Sequence, residues 1–256
     1  DDAARRPGPL AWRAVAAARA HRRLVCDTAA GLVPAPAVSR PALRSNARPD
    51  GARGVRTLVR TRAELSGPTV TVSVLAAVAA ALAAHLAELG EDTTLLGAEI
   101  PMAKTGPRRS NNHFGNVGVG LHPDLPFADR CRVIAAEVYQ RRRRAAHPAM
   151  RAAGAAFDAV PAALLRWGVA HFDPDVRSDT VSGNTVVSSV NRGARDLRFG
   201  AAPVAFSTGF PGLSPMMGLT HGVHGLGDRI AISVHAAESA VGDIDAYVTR
   251  LDRLLR

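Results

Sequence analysis

Aromatic residues make up only 4% of this 256-residue chain, so its core must rest on Ala, Val and Leu. Lysine is scarcer still. Lys104 is the only one, and the formal net charge of +10 comes almost wholly from arginine. A surface that basic can attract nucleic acid, anionic lipid headgroups, or the phosphates of coenzyme A and of a carrier protein's phosphopantetheine. The interleaved Arg and aromatic residues of a single-strand binder are missing, which argues against nucleic acid. The two cysteines, Cys26 and Cys131, lie far apart with no metal or redox spacing. Both read as small buried apolar side chains in a reducing cytoplasm. The most apolar run, Val70 to Leu89, contains His85 and Glu88 and is rich in Ala. Spanning a bilayer takes ~20 strongly apolar residues, so this run reads as a buried helix.

Several catalytic signatures are also missing. No Gly-x-Gly-x-x-Gly follows a strand and no phosphate-binding loop ends in Gly-Lys-Ser/Thr, so no nucleotide cofactor is indicated. There is no Gly-x-Ser-x-Gly elbow, and Ser188-Ser189 has no base identifiable beside it. His221-Gly222-Val223-His224 lacks acidic or cysteine partners and sits in what reads as a Gly-rich turn, so it suggests local hydrogen bonding rather than a metal site. No metal and no cofactor are expected. His85 reads as a core or boundary residue of the long apolar helix.

What is present is a globular pattern, with 47% hydrophobic residues and length enough to bury a real core. Residues 1–50 read as an amino-terminal helix (Leu10 to Thr28) and a Pro-rich connector (Val33 to Pro49), the most flexible segment. Residues 51–256 read as one domain. Strands are predicted at Gly54–Thr61, Thr94–Pro101, Asn112–Leu121, Thr185–Val190, Val204–Ser207 and Arg229–Ala236. Helices are predicted at Val72–Leu89, Phe127–Ala146, around Pro161 between Arg151 and Phe172, and at Asp243–Leu255 behind an Asp243 cap. Arg141 to Arg144 read as a solvated helix end at the favourable pole of the dipole. The order lacks βαβ periodicity and gives an α+β fold, a mixed sheet covered by helices. The chain opens Asp1-Asp2-Ala3-Ala4-Arg5-Arg6 without an initiator Met, which reads as a fragment, a processed product or a chain with a leader.

The most informative stretch runs Ser110-Asn111-Asn112-His113-Phe114-Gly115-Asn116-Val117-Gly118-Val119-Gly120-Leu121. A polar cluster leading into an alternating Val/Gly strand puts amide and backbone groups where a ligand can approach closely. His113, within this cluster at the strand start, is placed either to line a pocket or to serve a structural role.

Four blocks in order resemble the carboxy-terminal half of the wax ester synthase/diacylglycerol acyltransferase family. Gly67-Pro68-Thr69-Val70-Thr71-Val72-Ser73-Val74-Leu75-Ala76-Ala77-Val78 is similar to its helix start, and Asn112 to Val117 to its Asn-x-Phe-Gly strand. Val186-Val187-Ser188-Ser189-Val190 is similar to its Ser-Asn-Val-Pro-Gly-Pro strand. Arg229 to Ala236, with Gly242-Asp243 and the last helix, resembles its closing strand and helix. The resemblance covers roughly residues 40 to 256. It implies a chloramphenicol acetyltransferase-like half, from a superfamily that includes peptide-synthetase condensation domains, in which two α+β halves flank a channel. It also implies transfer of an acyl group from a thioester, either acyl-coenzyme A or acyl-carrier protein, to an alcohol or amine. In that superfamily a His-His-x-x-x-Asp-Gly motif in the amino-terminal half supplies the base.

This sequence contains no His-His dipeptide. The implied arrangement is therefore a heterodimer. This chain forms one channel wall, with Asn112, His113 and Asn116 near the thioester end and Ser188 and Ser189 near the crossing strand. The base lies on a separate amino-terminal polypeptide. The family's Asn-Asp pair is Thr71-Val72 here, and its Pro-Gly-Pro is Asn191-Arg192-Gly193. Thr71 can cap the helix, but Val72 cannot replace a carboxylate. These departures support the other reading, a non-catalytic scaffold or binding module that stabilises a partner acyltransferase. The expected location is the cytoplasm, free or peripheral to a membrane, with no transmembrane segment.

Overall fold

The computed structural model describes residues 9–104, 113–173 and 175–255. In chain order the longer elements are α1 (Leu10–Ala29), β1 (Arg53–Thr61), α2 (Val70–Glu88), β2 (Gly97–Ala103), β3 (Phe114–Gly120) and α3 (Phe127–Ala145). They continue with α4 (Pro148–Phe157), α5 (Ala162–Ala170), β4 (Thr185–Asn191), β5 (Leu219–Leu226), β6 (Arg229–Ala237) and α6 (Ile244–Leu254). Two compact units result. One draws on Asp1–Pro36, Ala103–His113 and Tyr139–Val176, the other on Ala37–Met102, Phe114–Val138 and Arg177–Arg256.

The larger unit is built on a six-stranded sheet in the order β1-β6-β5-β4-β2-β3. β6 runs antiparallel to both β1 and β5, while β4 runs parallel to β5 and to β2. A mixed sheet with helices on it is the α+β arrangement the sequence predicts. Side chains alternate across a strand, so each strand divides its residues between a helix-covered face and an open one. On the covered face lie Val187, Leu219, Val223, Ile230, Ile232 and Val234, all buried. α2 is apolar all round and is the core of this layer, with Val74, Leu75, Val78 and Leu82 at 0% exposure; a helix of that kind is a buried one. Among the described residues it is the one helix long and apolar enough to cross a membrane by length and composition, and most of it is packed inside this unit. α6 closes the edge, where Arg56 of β1 pairs with Asp245 at 2.5 Å and Arg60 pairs with Asp252.

Several buried polar groups in this unit are partnered by backbone carbonyls. Arg130, 7% exposed, pairs with no carboxylate among the described residues; its guanidinium donates to the carbonyls of Ala76, His122, Pro123 and Leu125 at 2.7–3.1 Å. It ties the start of α3 to α2.

The Pro-rich connector departs from its predicted flexibility. From Ala37 onward it belongs to the larger unit, and Arg40–Pro41 pairs with Thr180–Val181. Asn46 is fully buried and donates to the carbonyls of Gly183 and Met216, while its Oδ1 accepts from Leu43 N and from Asn184 Nδ2. Proline fixes φ but says nothing about such long-range amide bonds, so composition alone misreads the segment. Three other predictions are corrected. Thr69, not Thr71, caps α2, its Oγ1 accepting from Val72 N. Val204–Ser207 is not a strand. The fifth strand is β5, which contains the His221–His224 stretch that reads as a turn.

In the smaller unit α1 packs with α4, and Arg13 donates to Ala155 O at 2.8 Å. Arg141 and Arg144 are not merely solvated: they donate to the carbonyls of Ala35 and Pro34, and Arg144 also to Thr28 Oγ1. Their positive end of α3 is a clasp for the chain leaving α1. Cys26 is exposed rather than buried, whereas Cys131, in the larger unit, is buried and its thiol is pushed up by that burial.

Candidate functional site

The open face of the sheet carries a cavity of about 720 Å³, lined by Glu99 and Pro101 of β2, Phe114 and Asn116 of β3, Val186 and Ser188 of β4, and His224 of β5. Its roof comes from two loops, residues 178–182 and 209–217. The second loop is stitched down by side chains of the open face. Thr220 Oγ1 donates to Pro211 O at 2.7 Å, Ser233 Oγ donates to Gly209 O at 2.5 Å, and His235 Nδ1 donates to Pro211 O at 3.0 Å.

This close approach explains Gly222, one of the glycines that hide β5 in the sequence. A Cβ on Gly222 would collide with Gly209 O and Ser233 Oγ, and one on Gly209 would stand 2.7 Å from the His224 ring. Glycine in a strand marks a site where another backbone comes close, and here it admits the roof of the cavity.

The predicted site residues divide. Asn116 and Ser188 both line the cavity. Asn116 Nδ2 donates to Glu99 Oε2 at 2.9 Å, while its own Oδ1 has no hydrogen-bond partner among the described residues. Ser189, one residue on from Ser188, lies on the covered side of the strand, where its Oγ accepts from Thr71 Oγ1 at 2.9 Å. His113 just precedes β3 and is not among the cavity-lining residues; its Nε2 is buried without a hydrogen-bond partner. Asn112 lies outside the described residues.

Glu99 and His224 were not singled out from the sequence as site residues. Glu99 has a faint signal, a lone acid between Ala98 and Ile100 in an apolar strand. Its half-buried carboxylate pairs with no cation among the described residues. His224 is 9% exposed, its Nδ1 is buried without a partner, and neither ring nitrogen makes a hydrogen bond among the described residues. Burial holds its pKa below the usual imidazole range, and the charge of Arg192 adds to the effect, so the ring is neutral at pH 7.

His221, on the opposite face of the same strand, is fully buried and fully partnered. Thr185 Oγ1 donates to Leu219 O at 3.0 Å, so His221 Nδ1–H donates to Thr185 Oγ1 at 2.9 Å and Nε2 accepts from Tyr247 Oη at 2.9 Å. Burial lowers the His221 pKa to about 3 and raises that of Tyr247. This is a neutral structural chain from β4 through β5 to α6. Tyr247 also takes the His85 ring edge-on, with centroids 5.8 Å apart. Among the described residues no group of three or more His, Cys, Asp or Glu is placed to hold a metal ion.

No protein-family model matches this sequence, and no curated protein does either. Solved structures do. The wax ester synthase/diacylglycerol acyltransferase from Marinobacter aquaeolei VT8 superposes on 95% of this chain with a TM-score of 0.56 and 17% identity. A mutant starter condensation domain of rhizomide synthetase RzmA, in complex with C8-CoA and Leu-SNAC, superposes on 94% with a TM-score of 0.51 and 15% identity. The likeness is one of fold: the chain has the α+β architecture shared by these acyltransferase and condensation structures. It covers 55% and 51% of those two chains, so it spans about half their length.

Proposed function

We propose that this chain is the carboxy-terminal half of a thioester-dependent O-acyltransferase, moving an acyl group from acyl-coenzyme A or an acyl-carrier protein to an alcohol or amine. The observation that supports it best is the half-length superposition on acyltransferase and condensation structures in a sequence without His-His-x-x-x-Asp-Gly. The base then lies outside these 256 residues, on an amino-terminal half that this chain partners as a heterodimer. No resident cofactor is needed, because the thioester is the substrate. The setting is cytoplasmic.

Two of the chain's histidines fit that division of labour. A general base must reach the acceptor's proton at ~2.6–3.2 Å. His221 is enclosed among Thr185 and Tyr247, and His85 lies on the helix layer against Tyr247. A second reading, a non-catalytic scaffold, is favoured by one observation. Val72, where the family resemblance would place a carboxylate, is 4% exposed in the core, and the Thr71 hydroxyl beside it is engaged by Ser189.

Reconstitution separates the two. The chain is mixed with an amino-terminal half carrying the motif, and thiol release from an acyl thioester is followed in the presence of an alcohol. Turnover in the assembled pair but in neither part alone supports the acyltransferase reading. Assembly that leaves the partner's own turnover unchanged supports the scaffold. Turnover by this chain alone, lost on replacing one of its own histidines, contradicts both.

A further inference from the structure

The cavity on the open face has an electrostatic character opposite to that of the chain around it. The sequence has 32 Lys and Arg against 22 Asp and Glu, yet among the described residues no Lys or Arg lines the cavity and the one charged lining group is Glu99. An anionic ligand, whether a phosphate or a carboxylate, would meet the Glu99 carboxylate there and no cation among the described lining residues. The polar groups of the lining are rich in acceptors: the Glu99 carboxylate, the spare Oδ1 of Asn116, the Ser188 hydroxyl and the unpartnered His224 ring. Around them stand Phe114, Phe210 and Met216, with the two phenylalanines 47% and 40% exposed.

We propose that this cavity binds a small organic amine, its ammonium group held by Glu99 and its apolar part against Phe114, Phe210 and Met216. An ammonium group carries three N–H donors and no acceptor, which matches a lining with spare acceptors. The carboxylate supplies the charge-assisted bond, the strongest of the set, and Asn116 Nδ2 fixes its orientation from the side. Phenyl faces add a favourable environment for a nearby cation. His224 brings no competing charge, because its buried ring stays neutral at pH 7, and its lone pair is a further acceptor. Buried polar groups left without partners in a native protein require an explanation; a donor-bearing ligand supplies one for His224.

The proposal concerns binding and stands apart from acyl transfer: a chain that failed in reconstitution could still bind amines, and the reverse. The test uses the purified full chain at pH 7 with three probes sharing one tail: hexylamine, 1-hexanol and hexanoate. Calorimetry should show hexylamine binding about tenfold tighter than hexanol, the increment expected for a hydrogen bond to a charged group, and no binding of hexanoate. Glu99→Gln should bring hexylamine down to the hexanol level with an unchanged melting curve. Ser188→Leu, which fills the cavity from a different strand, should remove binding of both. Hexanoate binding as tightly as hexylamine would overturn the proposal, as would an amine preference that survives Glu99→Gln. Amine binding that survives Ser188→Leu would place the ligand elsewhere and overturn it too.

Discussion

His221 and His224 stand three residues apart on β5 and belong to opposite faces of one sheet. His221 has both ring nitrogens engaged, by Thr185 and Tyr247, and is 0% exposed. His224 is nearly as buried, at 9%, yet neither of its nitrogens has a partner among the described residues. Burial alone therefore does not separate a structural histidine from one available to a ligand; the hydrogen-bond inventory does. A satisfied buried network rigidifies a core, whereas an unsatisfied buried group costs about 1–3 kcal/mol. On the covered face His221 is spent on internal partners, and on the open face His224 is kept in reserve.

The largest expected effect is on pH dependence. His221 is neutral when folded, with a pKa of about 3, against 6.5 when unfolded. Below pH 6.5 the unfolded chain takes up a proton that the folded chain refuses until about pH 3. Stability should therefore be lost as pH falls through this window, by about 1.4 kcal/mol per pH unit from this residue. Urea unfolding of the chain and of His221→Gln across pH 4–7 checks it, the variant losing that part of the slope. Equal slopes would mean that the His221 ring titrates in the folded protein.

The next effect is the asymmetry between truncations. His221→Ala removes a fully packed ring and strands the Tyr247 hydroxyl, at a cost of roughly 3 kcal/mol. His224→Ala, which breaks no hydrogen bond among the described residues, should stay within about 1 kcal/mol. Denaturant midpoints of the two variants decide; similar losses would end the distinction. A smaller change, Tyr247→Phe, should cost roughly 1–2 kcal/mol by leaving His221 Nε2 without its donor. The smallest is Ser189→Ala. Its bond with Thr71 is exposed, so thermal unfolding should shift by the equivalent of less than about 0.5 kcal/mol.

How much of this was legible in the sequence follows the same two faces. The covered face was largely readable, because α2, β1, β4, β6 and α6 announce themselves through apolar runs, alternation and the Asp243 cap. β5 was not: its Gly222 and Gly225 read as turn residues, and the purpose of Gly222 emerges only when the Gly209 loop is seen crossing above. Asn116 and Ser188 could be singled out from the polar strand start and the Ser pair, but their meeting in one cavity depends on β3, β2 and β4 being neighbours in the sheet. Glu99 gave only a lone acid in an apolar strand. His224 was indistinguishable from His221, since a spacing of three fixes their opposite faces only once the segment is known to be a strand. The arginines of α3 and the amide pair Asn46–Asn184 were hidden for a related reason. Their partners are backbone carbonyls and amides more than 100 residues away.

The most direct test of the difference between the two faces is an NMR titration of the chain's histidine rings with hexylamine at pH 7. The ring resonances of His224 should move with saturable dependence on amine, while those of His221 stay fixed in the neutral form with Nδ1 protonated. Equal movement of both rings, or movement of His221 with His224 unchanged, would contradict the assignment of one histidine to the core and the other to a ligand site.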